Sequence, residues 1–204
     1  MNDIQLINRL LTVIEQDIVP KTQFAVKQSN KIFGAAILKK SDLSVIIAQT
    51  NNEVENPLWH GEMHAIKKLY EIKDRSSIPE PRDCIFLATH EPCSLCLSAI
   101  TWAGYDNFYY LFSHEDSRDT FNIPHDIRII NEVFGNTGTD NRTLYNRKNA
   151  FWQSYSIAEM IAGVDHSNND REVLLSRIEN LTKVYAQLSD VYQRNKGNAG
   201  IPLA

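Results

Sequence analysis

The residues of this chain best suited to chemistry fall in two short strings, His60-Gly61-Glu62 and Pro92-Cys93-Ser94-Leu95-Cys96. An imidazole and two thiols are ligand types that hold a zinc ion. Three protein ligands leave a fourth position open for water, the pattern of a catalytic zinc rather than a closed structural one. Glu62, two residues beyond His60, then lies near the metal without binding it. A zinc ion bearing two thiolates and a neutral imidazole has no net charge and acidifies water less than a three-histidine site would. Such a site needs a base, and Glu62 is the candidate to carry protons between water, substrate and leaving group.

Other readings of the same residues are weaker. Pro-Cys-x-x-Cys between a strand and a helix also suits a thioredoxin-type redox pair, which leaves His60 and Glu62 without a role. A closed zinc site would recruit His90 or His64 as a fourth ligand. His60 and His64 have the spacing of a metalloprotease helix, but the glutamate of that motif directly follows the first histidine, where Gly61 stands. His114, His125 and His166 are expected on surfaces or loops, and Cys84 in a buried strand.

The elements that must position these groups are legible from periodicity. Ile4, Leu6, Ile7, Leu10, Leu11 and Ile14 repeat at helical spacing, and Pro20 restarts a second helix that stops near Asn30. Residues 33–38 and 43–48 read as a hairpin around the polar turn 39–42. After the Asn-rich loop 50–57 a helix is expected from about Leu58, with Met63, Ile66, Leu69 and Tyr70 on its apolar side. A strand over 84–89, a helix over 93–102 and a strand over 108–112 complete a pattern of sheet with helices on its faces. Pro92 and the two cysteines fall at a helix start, where the positive helix end favours thiolates. Adjacent parallel strands would bring the two helix starts to one sheet edge. Farther on, residues 121–135 read as a loop and short helix, 151–164 as a helix and 169–196 as a long helix. Its seam of Leu174, Ile178, Leu181, Tyr185, Leu188 and Tyr192 suits packing on its own domain or a coiled-coil contact. Residues 197–202 are expected to be a loose tail.

The chain has 204 residues, enough for one hydrophobic core with an appended helical segment. Three cysteines do not make a secreted disulfide scaffold, and no run approaches the roughly 18 apolar residues of a membrane span. The start Met1-Asn2-Asp3-Ile4-Gln5 has no signal-peptide character, so the expected location is the cytoplasm. A net charge of −4 and a pI near 5.9 argue against a protein that grips a polyphosphate backbone.

These motifs, in this order, resemble the cytidine-deaminase superfamily, in the branch of cytosine, guanine and tRNA adenosine deaminases. The resemblance runs from about residue 17 to residue 134. Phe33-Gly34-Ala35-Ala36-Ile37 is similar to the strand that opens that domain, and His60-Gly61-Glu62-Met63 to its first zinc motif. Glu91-Pro92-Cys93-Ser94-Leu95-Cys96-Leu97-Ser98-Ala99-Ile100 is similar to the second; the stretch on through Trp102-Ala103-Gly104 and Phe108-Tyr109-Tyr110 looks most like bacterial guanine deaminases.

The resemblance implies a three-layer α/β/α sandwich around a mixed sheet of about five strands, usually as a homodimer, with one zinc per subunit on His60, Cys93 and Cys96. It implies an asparagine on the substrate ring, Asn51 or Asn52, and backbone N–H groups of Gly61 and Glu62 on a ring carbonyl. Asp116 lies where guanine-deaminase-like enzymes place an acid near the substrate amino group, although a solvated loop acid is an equal reading. Trp59, Trp102 and Phe121 are candidates for the walls around a flat base, or for ordinary core. The segment 51–60 is about two residues shorter than the family's usual one. The expected plan is a deaminase domain over 1–140 and a helical extension over 141–204, which has no counterpart in the family. The expected activity removes an amino group from a free nucleobase or nucleoside and releases ammonia, guanine ahead of cytosine. A tRNA adenosine-34 deaminase, which would need a basic face for RNA, is the alternative. A zinc-stabilised interaction module using the C-terminal seam is the non-catalytic one.

Overall fold

The structure is a computed structural model that describes residues 3–135, 144–165 and 169–204. Five strands, β1 (Gly34–Lys39), β2 (Val45–Thr50), β3 (Cys84–His90), β4 (Asn107–Phe112) and β5 (Gln153–Ser156), form one sheet in the order β2-β1-β3-β4-β5. β1 runs antiparallel to both β2 and β3, and β3, β4 and β5 are parallel. β3 is buried at every residue, as a strand covered on both faces must be.

Strand alternation sends side chains to two cores. On one face Ala36, Leu38, Ile85 and Leu87 meet α1 (Asp3–Val13), α6 (Ile157–Ala162) and α7 (Asn169–Asn195). A wide turn at Ile14–Ile18 joins α1 to α2 (Val19–Ala25) in the same layer. On the other face Ala35, Ile37, Phe86 and Ala88 meet α3 (Gly61–Tyr70) and α4 (Ser94–Trp102). This is the expected three-layer α/β/α arrangement. α5 (His125–Phe134) completes the α-helices of the described residues.

The C-terminal stretch departs from expectation in one respect and follows it in another. Residues 151–164 do not form one helix: Gln153–Ser156 is the fifth strand and only Ile157–Ala162 is helical. The strand is four residues, Gln153-Ser154-Tyr155-Ser156, too short and too polar to outweigh the helical pattern that follows. Its Tyr155 stacks on Tyr109 of β4 at 4.7 Å. The seam of α7 lies inside the chain's own core, with Leu174, Leu181, Tyr185, Leu188 and Tyr192 all buried. It therefore offers no free face for a partner, and the interaction-module reading loses its surface. Arg177 adds a two-pronged clamp from α7 to Glu15 (2.7 and 2.9 Å) and a bond to Asn8 Oδ1 on α1 (2.8 Å). No helix is long and apolar enough to cross a membrane among the described residues.

The sheet order also corrects how the two motif helices meet. β2 and β3, which feed α3 and α4, are not adjacent; β1 lies between them. Because both oppose β1, they point the same way and deliver both helix starts to one edge. The gap over β1 closes through bare backbone: a Cβ on Gly61 would lie 2.7 Å from Gly34 Cα, and one on Gly34 would lie 2.3 Å from Ile18 Cγ2. Neither glycine leaves room for a methyl group.

Candidate active site

α3 begins at Gly61, three residues later than its apolar pattern suggests, because Asn56–Trp59 closes a turn with Trp59 N–H on the Asn56 carbonyl (2.8 Å). His60 thereby becomes the N-cap of α3, as Cys93 is the N-cap of α4, and Cys96 lies one turn along. Two positive helix ends thus face one point. His60 Nδ1 stands 3.4 Å from Cys93 Sγ and 3.7 Å from Cys96 Sγ. A tetrahedral zinc with Zn–S of about 2.3 Å and Zn–N of about 2.1 Å requires N···S edges of about 3.6 Å, so the three side chains fit that ion. They are the metal-binding cluster found among the described residues, with ligand atoms all within 4.8 Å. His64 and His90 are not in it: His64 Nδ1 pairs with the Thr50 carbonyl at 2.8 Å and His90 lies in the opposite core. The closed-site reading has no fourth ligand there.

The electrostatics are those of a cluster ready to exchange protons for a dication. Cys93 is held well below the usual thiol range, first by the hydrogen bond from Cys96 and further by that from His60. Burial and the neighbouring Cys93 hold Cys96 well above it. Burial opposes charge on His60, but the hydrogen bond and charge of Cys93, with Glu62 and Glu53 behind, raise it to about 9. A metal requires all three ligands deprotonated. Glu62, 5% exposed in the first turn of α3, is pushed up to about 7 by burial and then by Cys93. A carboxyl near 7 both takes and gives a proton at neutral pH.

A cavity of about 340 Å³ opens beside His60 and Cys93. That is the lower end of the range for small-molecule sites, about 300–1,000 Å³. Phe33, Leu58, Leu95, Ile123 and Ile129 give it apolar walls, and Lys31, Glu53 and Asp126 supply buried charge. Asp126, in the first turn of α5, is 8% exposed and raised to about 6 by burial and the nearby Cys93. The segment expected to be a loose tail also reaches the cavity, through Ile201, Pro202 and Leu203.

The residues expected around a substrate are placed as follows. Asn51 is buried against the site; its Oδ1 accepts the Gly61 N–H at 2.6 Å and its Nδ2 donates to Glu53 at 2.9 Å. The Gly61 N–H is therefore engaged by Asn51 rather than open to a ring carbonyl. Asn52 turns outward to Glu55 (2.6 Å). Asp116 is spent on the turn at Ser113, accepting from its N–H (2.8 Å) and hydroxyl (3.1 Å); Asp126, ten residues on, is the acid that lines the cavity. Trp102 is 90% exposed at the end of α4 and is not part of this cavity's wall. Phe121 belongs to the core, and Trp59 lies under the Lys67 ammonium (5.5 Å). Sequence reasoning missed Asp126, Lys31 and Glu53. An acid just after Pro124 reads as an ordinary helix-start residue, and only the fold turns it inward.

The family model of the cytidine and deoxycytidylate deaminase zinc-binding region matches residues 14–112. This segment belongs to the cytidine and deoxycytidylate deaminase superfamily. The chain is 34% identical over 90 residues to guanine deaminase of Bacillus subtilis (strain 168). That match takes 43% of this chain and spans about half the relative's length, 54%. The X-ray structure of the Bacillus subtilis guanine deaminase is 28% identical, covering 60% of this chain and 74% of that one, with a TM-score of 0.43. A structure from a study of tRNA:A34 deaminases is 23% identical, covering 50% and 76%, with a TM-score of 0.42. All the candidate metal ligands and Glu62 lie inside the deaminase segment, whereas Asp126 and the 201–203 wall lie outside it.

Proposed function

We propose that the protein is a zinc-dependent hydrolase that removes the exocyclic amino group of a free nucleobase, guanine ahead of cytosine, and releases ammonia. The observation that carries this reading is the buried Glu62, near neutral pKa, beside a three-ligand cluster that opens on an apolar cavity of about 340 Å³. His60, Cys93 and Cys96 would hold one zinc per subunit; zinc, when bound, supplies Lewis acidity that lowers the pKa of water. Glu62 takes a proton from the attacking water and delivers it to a ring nitrogen as the water oxygen bonds to the amino-bearing carbon; it then takes the proton of the new hydroxyl and gives it to the amine, which leaves as ammonia while the carbonyl forms. Burial keeps this carboxyl from being fixed as an anion, so both deliveries fall within reach of one group. The positive ends of α3 and α4 hold the two thiolates in place.

Guanine is favoured over cytosine by Asp126. A carboxylate accepts the paired N–H donors of guanine's N1 and 2-amino edge, whereas the matching edge of cytosine presents a carbonyl. The net charge of −4 supports a small substrate over an RNA. The family resemblance supports a homodimer.

Ammonia release over guanine, cytosine, adenine, their nucleosides and a tRNA anticodon stem-loop tests the substrate. Guanine is expected to turn over fastest, and turnover of the stem-loop alone overturns the reading. Glu62→Ala is expected to keep fold and zinc while the rate falls at least about 100-fold. An unchanged rate removes Glu62 from the reaction.

A further inference from the structure

Glu53 is a carboxylate inside the cavity that none of the proposed chemistry uses. It is 3% exposed, in the short loop between β2 and α3. Its Oε1 accepts from Lys31 Nζ at 2.7 Å, and its Oε2 from the Lys31 N–H at 3.2 Å and Asn51 Nδ2 at 2.9 Å. The same Oε1 stands 4.0 Å from His60 Nε2. His60 turns its other nitrogen, Nδ1, to the two thiols.

We propose that Glu53 is the positioning residue for His60: it holds a proton on Nε2, so that the proton the ring gives up to the metal leaves from Nδ1. The inference rests on the zinc reading above. A ring that coordinates through Nδ1 must carry its proton on Nε2, and the outer partner of such a ring fixes its tautomer, its orientation and its strength as a ligand. At 4.0 Å the contact is longer than a direct hydrogen bond, so the carboxylate acts through its charge or through one bridging water.

Lys31 explains why an acid is tolerated there. The site already gathers two thiols and Glu62, and a further uncompensated anion beside them would be repelled. The Lys31 ammonium, 5% exposed, cancels the charge of Glu53 while leaving its oxygen toward His60. Glu53 also orients the Asn51 amide, whose oxygen takes the first N–H of α3. One carboxylate thus sets the ring of His60 and the start of the helix that carries Glu62.

The test is zinc affinity, measured by competition with a chromogenic chelator, in Glu53→Gln and in Lys31→Met/Glu53→Gln, which removes both charges together. Both are expected to bind zinc about 10–100-fold more weakly than the parent with secondary structure retained. A folded double variant with parental zinc affinity overturns the proposal, even if its melting temperature falls, because that outcome marks the pair as structural only. If neither variant folds, Glu53→Asp decides, because it keeps the charge beside Lys31 and withdraws the carboxylate from His60: weaker zinc binding is expected, and parental affinity overturns the proposal. A parent that binds no stoichiometric zinc fails the underlying zinc reading instead, so the two failures are told apart.

Discussion

Two histidines at the same end of the sheet have opposite fates. His60 caps α3 and is raised to about 9; His90 ends β3 and is driven down to about 3. Burial is the largest influence on both and opposes charge in both. The difference is the company they keep. His60 faces the Cys93 thiolate with Glu62 and Glu53 nearby, whereas His90 is boxed by Phe33, Phe112, Phe121 and Tyr185 at 4.7–5.2 Å between ring centres. Among the described residues its hydrogen-bond partner is the neighbouring Thr89 hydroxyl, 2.9 Å from Nδ1. Burial alone makes an imidazole neutral and inert; burial beside fixed anions makes it a ligand in waiting.

The largest break in this contrast is expected from Cys93→Ser, which takes away both a ligand and the anion that raises His60. Stoichiometric zinc should be lost while the fold remains, and metal analysis of the purified protein checks it. Full zinc retention would remove Cys93 from the ligand set.

His90 offers the next effect, in the metal-free protein. Its folded pKa of about 3 lies below the unfolded 6.5, so the unfolded chain binds a proton that the native state refuses. This stabilisation is present above 6.5 and is lost as pH falls toward 3, by about 2 kcal/mol between pH 6.5 and about 4.5. Glu62 and Asp126, raised to about 7 and about 6, slope the opposite way in acid. The difference between parent and His90→Phe in urea unfolding across pH therefore isolates the term. Parallel curves for the two proteins would show that His90 titrates normally.

The smallest effect sharpens the contrast on the His60 side. Gly61→Ala places a methyl group against Gly34 backbone and is expected to cost on the order of 1–2 kcal/mol in thermal unfolding, with weaker zinc binding, because His60 and Glu62 flank it. An unshifted melt would mean that β1 yields freely at Gly34.

This contrast also marks what could be read without coordinates. The ligands and Glu62 come from motifs whose chemistry and spacing are local, and α1, α3, α4, β1 to β4 and α7 announce themselves by periodicity. Whether a histidine belongs to a metal or to an aromatic box depends on which strands are neighbours, and β1 between β2 and β3 is a matter of topology. β5 was hidden because Gln153-Ser154-Tyr155-Ser156 has little apolar content before a helical run. Lys31, Glu53 and Asp126 meet from three separate segments, and no single segment has a pattern that points them at one cavity. Asp116 and Trp102 had suitable chemistry for a substrate, but local turn bonding claimed the first and a helix end left the second in solvent.

The way α1 and α7 close on each other bears on when the protein becomes itself during synthesis. The aromatic box that shields His90, three residues before Cys93, takes one wall from Tyr185, and Arg177 draws α7 onto Glu15 and Asn8. A nascent chain holding both metal motifs still lacks that wall and the fifth strand. The edge of β4 stays unpaired until residues 153–156 have been made, and the sheet face under α7 lacks part of its cover until residues near 192 follow. Closure of this core therefore joins the two ends of the described fold, since α7 supplies a wall that neither metal motif can provide for itself.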